Sequence, residues 1–280
     1  PTRQPSELSE SQVAMATCDS DNSGVWGVGG EWHSVGVAVP EWMAADPRIR
    51  HHHHRPATVG ATADFPDWVG QPVREALAGI GVTRLWEHQA LAAAAAFEGR
   101  HVALATGTAS GKTLGYLLPV LAATAESRLG FDVAQRGPLE LGRGHSALYL
   151  APTKALAHDQ LRVCESLGLP GWRVSALDGD SDAVERRFAR DFGRFILTNP
   201  DMLHRSVLPR HQQWTRLLST LRYVVVDEAH RYRGVFGAHV SAVLRRLRRL
   251  ANHYGSDPVF ITASATVSDA GPLLERLAGV

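Results

Sequence analysis

The sequence has few cysteines, no long apolar run and no excess of charge, and each shortage excludes a class of protein. Two of its 280 residues are cysteine and no CxxC pair occurs, so neither a disulfide framework nor a cysteine zinc site is expected. No apolar run reaches the ~18 residues that could cross a bilayer, and the amino terminus lacks the pattern of a secretory signal. We therefore expect a cytoplasmic protein without a membrane partner.

Charge is almost balanced, with 29 Lys+Arg against 28 Asp+Glu and a net charge of +1. Binding to a phosphate backbone would have to come from local patches, and residues 222–255 are one candidate because they hold seven arginines and two acids. Apolar residues at helical spacing predict one buried face over 237–253. The arginines outside that face favour a solvated charged surface. A phosphate-contacting edge and a contact surface for a partner domain are the alternatives. They are Arg245, Arg246, Arg248 and Arg249.

The composition and the hydrophobic pattern of the chain change near residue 63. Residues 1–63 are rich in Gly, Ser and Pro and offer one short candidate strand, Val35–Val39, so we interpret them as a poorly ordered or variable extension. The run His51–His54 could bind a transition metal, although such tracts are more often flexible and solvated. Residues 64–280 alternate apolar strands with helical patterns and are expected to form one domain.

This alternation predicts an α/β fold whose mostly parallel sheet carries helices on both faces. The predicted strands are short and largely free of charge, as expected when both faces are buried: His101–Thr106, Ala147–Pro152, Arg173–Asp178, Arg194–Thr198, Tyr223–Asp227 and Val259–Ala263. The predicted helices cover 86–98, 111–125, 154–167, 182–190, 211–219, 237–253 and 269–278. In such sheets ligands bind at the carboxyl ends of the strands.

A phosphate-binding loop is predicted between the first of these strands and the helix after it. Small residues allow the backbone N–H groups to surround a phosphate at the helix amino terminus. Lys112 would contact the β- and γ-phosphates of ATP and Thr113 would be a magnesium ligand. The alternative is a glycine-rich turn without a ligand. The loop residues are Thr106, Gly107, Thr108, Ala109, Ser110, Gly111, Lys112 and Thr113, with Thr106 where the general pattern has its first glycine.

A second predicted site is the acidic end of the strand Tyr223–Asp227. Acids at the end of a buried strand are costly unless they meet a cation or take part in chemistry. Asp227 would hold Mg²⁺, and Glu228 would orient and deprotonate the attacking water. His230 would lie close to the γ-phosphate or to a coupling residue. An ordinary capping acid is the alternative, but the phosphate loop upstream favours a shared site.

With these motifs in order, the chain resembles the DEAD/DEAH-box helicases of superfamily 2, which implies a RecA-like P-loop NTPase domain. Gln89 resembles the upstream glutamine that reads adenine. Two further segments resemble motifs Ia and Ib, which contact single-stranded nucleic acid through hydroxyls, helix-start N–H groups and a lysine: Pro152, Thr153 and Lys154, then Thr198, Asn199, Pro200 and Asp201. The segment Ser264, Ala265 and Thr266 resembles motif III, which couples hydrolysis to strand movement.

A narrower resemblance is to the MrfA/RecQ-like-four branch of bacterial and fungal DNA helicases. It is carried by 106–112, by Asp178-Gly179-Asp180 and by 230–237. The resemblance implies 3′-to-5′ translocation on single-stranded or partly duplex DNA, a role in DNA repair, and a second RecA-like domain that supplies arginine fingers. Because that second domain would follow Val280, the chain alone is expected to bind nucleotide weakly and to unwind nothing. An RNA helicase and a non-enzymatic nucleotide- or DNA-binding module remain alternatives.

Overall fold

The structure, a computed structural model, describes residues 13–17, 60–107, 111–124, 144–265 and 269–280, and for residues 13–17 it describes the backbone alone. The candidate strand Val35–Val39 and the histidine run His51–His54 lie outside them, as do the predicted site residues Thr108, Ala109, Ser110 and Thr266.

The six strands predicted from the sequence are all present. The described strands are β1 (Val13–Thr17), β2 (Thr62–Ala63), β3 (Leu85–Trp86), β4 (His101–Ala105), β5 (Ser146–Leu150), β6 (Val174–Ala176), β7 (Phe195–Thr198), β8 (Leu221–Val226) and β9 (Val259–Ser264). The α-helices are α1 (Gln71–Gly79), α2 (Glu87–Phe97), α3 (Thr113–Thr124), α4 (Lys154–Ser166), α5 (Ala183–Asp191), α6 (Pro200–Met202), α7 (Thr215–Ser219), α8 (Gly234–His253) and α9 (Ala270–Ala278).

Seven strands form one parallel sheet in the order β1-β4-β9-β8-β5-β7-β6. Since parallel strands end at the same edge, the residues after β4, β5, β7, β8 and β9 gather there. Every predicted ATP-site and nucleic-acid segment in the described chain follows one of these strands, except the one at Gln89. The fold therefore brings the predicted motifs to a single edge.

Both faces of the sheet are covered, as the uncharged strands predict. Alternate strand residues enter two separate hydrophobic clusters: Leu104 and Tyr149 pack on the side of α1 to α4, whereas Ala103 and Leu148 pack on the side of α8 and α9. Each of these four side chains is at most 1% exposed. Burial on both faces leaves the strand ends as the place where polar groups can meet a ligand.

Several features differ from the sequence expectation. Helix α1 was not predicted, and the predicted helix 211–219 is α-helical over Thr215–Ser219 alone, because a 3₁₀ segment with a kink at Arg210 precedes it. Strand β1 was also not predicted, and it pairs with β4. Strands β2 and β3 were not predicted either, and their pairing joins residues on the two sides of the predicted boundary at residue 63. The domain boundary at residue 63 stays a prediction.

Among the described residues, no helix combines the length and apolar character needed to cross a membrane.

Candidate nucleotide site and nucleic-acid edge

The predicted phosphate loop connects β4 to α3. Thr106 is fully buried directly after β4, and Gly107 is half-buried. Gly111 has a φ of +74°, and a Cβ at this position would lie 2.8 Å from Gln89 Nε2. The backbone here therefore needs glycine for its conformation and for the close approach of a neighbouring side chain.

Gln89 holds the loop in place from α2. Its Nε2 donates to Gly111 O at 2.6 Å, and its Oε1 accepts from Trp86 N at 2.9 Å. The side chain is 3% exposed, so it is not a solvated helix residue. The structure thus places Gln89 against the loop, while its role in reading adenine stays a prediction.

Lys112 bonds to carbonyls of its own loop and lies within the electrostatic reach of the acidic strand end. Its Nζ donates to Thr106 O at 3.1 Å and to Gly107 O at 2.8 Å. Burial lowers the pKa of Lys112, and the nearby carboxylates of Glu228 and Asp227 oppose that shift. The loop lysine and the two predicted catalytic acids therefore converge on one place.

The acidic strand end is held by backbone and side-chain donors. Asp227 N donates to Leu150 O at 2.9 Å, which continues the pairing of β8 with β5. The carboxylate accepts from Glu228 N at 2.8 Å through Oδ1 and from the Tyr149 hydroxyl through Oδ2. Glu228 has a φ of +49°, the one positive φ outside glycine in the described part of the chain. Such a conformation costs about 1–3 kcal/mol and is often found at functional sites.

His230 links Glu228 to the predicted coupling segment. Its Nε2 lies 3.2 Å from Glu228 Oε2, and its Nδ1 accepts from Ala265 N at 3.3 Å and lies 3.3 Å from Ser264 Oγ. Because Nδ1 accepts a backbone N–H, the proton of the neutral ring is on Nε2 and points to Glu228. The acidic strand end and the predicted coupling segment are therefore both in contact with one imidazole.

Two oxygen ligands of the kind that Mg²⁺ prefers lie in this site. Thr113 is the first residue of α3 and is half-buried beside Lys112, and the half-buried carboxylate of Asp227 follows β8. The Asp227 carboxylate accepts from the buried Tyr149, whose ring centroid lies 5.9 Å from that of Tyr116 on the helix that begins at Thr113. The residues present fit a magnesium ion bound together with a nucleotide phosphate.

The predicted nucleic-acid residues lie along the same edge but differ in what they can offer. Thr153 and Asn199 are the N-caps of α4 and α6, where their side chains accept from Leu156 N at 3.4 Å and from Met202 N at 2.8 Å. The Thr198 hydroxyl donates to Leu177 O at 2.6 Å and is buried. Pro200 is buried as well, Pro152 is half-buried and Asp201 is exposed. The structure therefore uses the Thr198 hydroxyl within the fold.

Lys154 is exposed on this edge and is paired with the loop after β6. Its Nζ lies 2.6 Å from Asp180 Oδ2, and this bond raises the pKa of Lys154. Asp178 fixes the loop by accepting from Asp180 N at 2.7 Å and from His158, whose Nε2 is at 2.8 Å. The chain has two lysines, Lys112 and Lys154, and the structure places one in each predicted binding region.

The arginines of α8 are engaged with backbone carbonyls. Arg245 donates to Arg276 O at 3.0 Å, Arg248 donates to Gly279 O, and Arg246 donates to Leu208 O at 3.3 Å. The first two contacts stabilise the carboxyl end of α9, whose last carbonyls have no partner within the helix. For these three arginines the structure favours a packing role over a free basic patch.

Comparison with known proteins adds three findings. The DEAD/DEAH box helicase family matches residues 86–272. The uncharacterized ATP-dependent helicase YprA of Bacillus subtilis is 40% identical over 245 residues, which are 86% of this chain and 29% of YprA. The ATP-dependent helicase HRQ1 of Saccharomyces cerevisiae is 36% identical over 226 residues, which are 78% of this chain and 20% of HRQ1. The chain therefore spans less than a third of each of these relatives.

The chain is also similar to solved structures. The crystal structure of the DUF1998 helicase MrfA bound to DNA and AMPPNP has a TM-score of 0.69 and 40% identity, covering 79% of this chain and 30% of that one. The DEAD-box helicase Mss116 bound to ssRNA and UDP-BeF has a TM-score of 0.62 at 18% identity, which shows the fold alone. Both likenesses bear out the RecA-like architecture predicted from the alternating strands and helices.

Proposed function

This chain belongs to the DEAD/DEAH box helicase family, and from that premise we propose that it is the Mg-ATP-binding motor domain of a 3′-to-5′ DNA helicase that acts in DNA repair. The choice of DNA is supported by MrfA, which is 40% identical and was solved bound to DNA. Polarity and the repair role are supported by the resemblance of the motifs at 106–112, 178–180 and 230–237.

One observation carries the nucleotide part of the proposal. Lys112 lies in the turn after β4, and Asp227 and Glu228 follow β8, so the three residues lie at the same carboxyl edge of the parallel sheet. The two carboxylates also oppose the lowering of the Lys112 pKa by burial. A lysine beside two carboxylates is the arrangement needed to bind a triphosphate, a divalent ion and an attacking water together. The carbonyls of Thr106 and Gly107 now accept from Lys112 and would give way to phosphate oxygens, which are stronger acceptors.

Each site residue then has a defined task. Lys112 binds the β- and γ-phosphates, Thr113 and Asp227 hold Mg²⁺, and Glu228 takes a proton from the attacking water. His230 orients Glu228 through its Nε2 proton, and Gln89 supports the loop beside adenine. Mg²⁺, when bound, neutralises charge on the phosphate oxygens. Backbone N–H groups of the loop complete the phosphate contacts.

The nucleic-acid part is supported by the edge beside this site. Lys154 is exposed at the amino end of α4, where helix N–H groups and a cation favour a phosphate. Thr153 and Asn199 start neighbouring helices at the same edge. We propose that a single strand of partly duplex DNA lies along it, and that a second RecA-like domain closes over the nucleotide and supplies arginine fingers.

The two lysines provide matched variants for a direct test. Two affinities are measured for the parent, Lys112→Ala and Lys154→Ala. One is for a fluorescent ATP analogue with Mg²⁺, and the other is for single-stranded DNA. We expect Lys112→Ala to lose nucleotide binding and keep DNA binding, and we expect Lys154→Ala to weaken DNA binding and keep nucleotide binding. Equal nucleotide affinity of Lys112→Ala and the parent would contradict the site assignment.

Substrate choice and polarity need their own measurements. Binding of a DNA strand and an RNA strand of the same sequence distinguishes the DNA helicase from an RNA helicase, and stronger RNA binding would contradict the choice of DNA. Polarity is read from a chain extended through a second motor domain. We expect that chain to unwind duplexes with a 3′ tail and to leave those with a 5′ tail intact.

A further inference from the structure

Two tyrosines lie side by side between the phosphate-loop helix and the sheet. Tyr149 is on β5 and Tyr116 is on α3, with ring centroids 5.9 Å apart at an interplanar angle of 41°. Tyr149 is 1% exposed and Tyr116 is 2% exposed. Phenylalanine would fill the same space, so the buried hydroxyls call for an explanation, because a buried hydroxyl is costly unless it is hydrogen-bonded.

The tyrosine pair joins the phosphate-loop helix to one proposed magnesium ligand, Asp227. Tyr149 donates its proton to Asp227 Oδ2, and its ring packs against the ring of Tyr116 on α3. Tyr116 also donates to Gln160 Oε1 on α4 at 3.1 Å, which anchors the pair. Contacts therefore run from Gln160 on α4 through the two tyrosine rings to Asp227 at the end of β8.

This arrangement determines how Asp227 can turn. With Oδ1 accepting from Glu228 N and Oδ2 accepting from Tyr149, rotation of the carboxylate about its Cβ–Cγ bond would break both hydrogen bonds. The register of the sheet, with Leu150 opposite Val226, brings Tyr149 within reach of Asp227. Groups that orient a metal ligand in this way typically change metal affinity or activity by about 10–100-fold when removed.

We propose that Tyr149, supported by Tyr116, is a positioning residue that fixes the Asp227 carboxylate and thereby sets the affinity of the nucleotide site for its divalent metal. This inference rests on the proposed Mg-ATP function. The tyrosine contacts neither nucleotide nor water in this role and acts through Asp227 alone.

The test is a Mg²⁺ titration of fluorescent ATP-analogue binding for Tyr149→Phe. We expect about a tenfold higher half-saturating Mg²⁺ concentration than for the parent, with unchanged nucleotide binding in excess EDTA. Tyr223→Phe is the matched control. Tyr223 is on β8, is 2% exposed and donates to Ala96 O at 3.3 Å away from the acidic end. It should keep the Mg²⁺ dependence of the parent.

Tyr116→Phe is a second variant for the case in which Tyr149→Phe lowers the melting temperature. It should shift the Mg²⁺ dependence in the same direction by a smaller factor. Equal Mg²⁺ dependence of the parent and the folded Tyr149→Phe variant would overturn the positioning role while leaving the ATP site intact. An equal shift in Tyr223→Phe would overturn it too, as a nonspecific effect of losing a buried hydroxyl. A parent that binds the analogue without any Mg²⁺ dependence would overturn the proposed function and this inference together.

Discussion

The pairing of Lys154 with Asp180 allows the proposed DNA edge to be tested through its salt dependence. The two side chains are 45% and 85% exposed and 2.6 Å apart, so the pair is screened by water and salt and can exchange partners readily. Binding of a strand would exchange Asp180 for a phosphate. Lys154 should therefore act as one phosphate contact of the strand.

The size of the effect follows from counterion release. Each phosphate contact to a single strand steepens the plot of log affinity against log salt by about 0.7. Lys154→Ala should flatten the slope by that amount. Between 50 and 200 mM salt the parent should then lose about 2.6-fold more affinity than the variant loses.

Asp180→Asn tests the same contact from the other side. Removing the competing carboxylate frees Lys154 for a phosphate, so we expect tighter strand binding at low salt, by about two- to fivefold on the scale of exposed ion pairs. The controls are Arg162→Ala and Asp64→Asn. Arg162 is an exposed cation later on α4 that pairs with Asp159, and Asp64 is an exposed acid 3.2 Å from Arg84.

Fluorescence anisotropy of a labelled single strand at several salt concentrations is the assay. The slope of log affinity against log salt should be flatter for Lys154→Ala than for Arg162→Ala. The affinity for the strand at low salt should be higher for Asp180→Asn than for Asp64→Asn. If Lys154→Ala keeps the slope of the parent, or if Arg162→Ala flattens it equally, Lys154 is not a specific phosphate contact of the strand.

Three further predictions concern the ATP site and the core. Amine acylation followed by mass spectrometry should show Lys112 protected by Mg-ATP and Lys154 protected by a single strand, and the opposite assignment would contradict both roles. In a chain extended through a second motor domain, Glu228→Gln should keep nucleotide binding while hydrolysis falls by about 10²–10⁴-fold, whereas an unchanged rate would exclude Glu228 as the base. Leu104→Ala removes a fully buried side chain of β4 and should lower the free energy of unfolding by about 2–5 kcal/mol. Val184→Ala, at a position 74% exposed, should change it by about 0.5 kcal/mol or less in denaturant titrations.

Structural features that have one local physical cause could be predicted from the sequence. Strands with few charges, such as β4 and β8, were found because burial on both faces leaves a local signature. The phosphate loop and the acidic strand end were predicted because Lys112 and Asp227 each follow such a strand. Their convergence at one edge then follows from parallel pairing.

What the sequence could not predict depends on residues distant in the chain. Tyr149 looks like any apolar strand residue until the register of β5 against β8 sets it beside Asp227. Lys154 and Asp180 are 26 positions apart, and Arg245 meets a carbonyl at residue 276. The pairing of β1 with β4 joins segments more than 80 residues apart, and no local pattern records it. Such contacts are properties of the tertiary arrangement.

The central claim is that the loop at Lys112 and the acids at Asp227 and Glu228 bind one metal–triphosphate unit. A crystal structure of this chain with Mn²⁺ and a non-hydrolysable ATP analogue tests it most directly, because anomalous scattering locates the ion independently of interpretation. We predict a single strong peak beside Thr113 and Asp227, with the terminal phosphates against Lys112. An ion or a triphosphate bound away from these residues would contradict the claim.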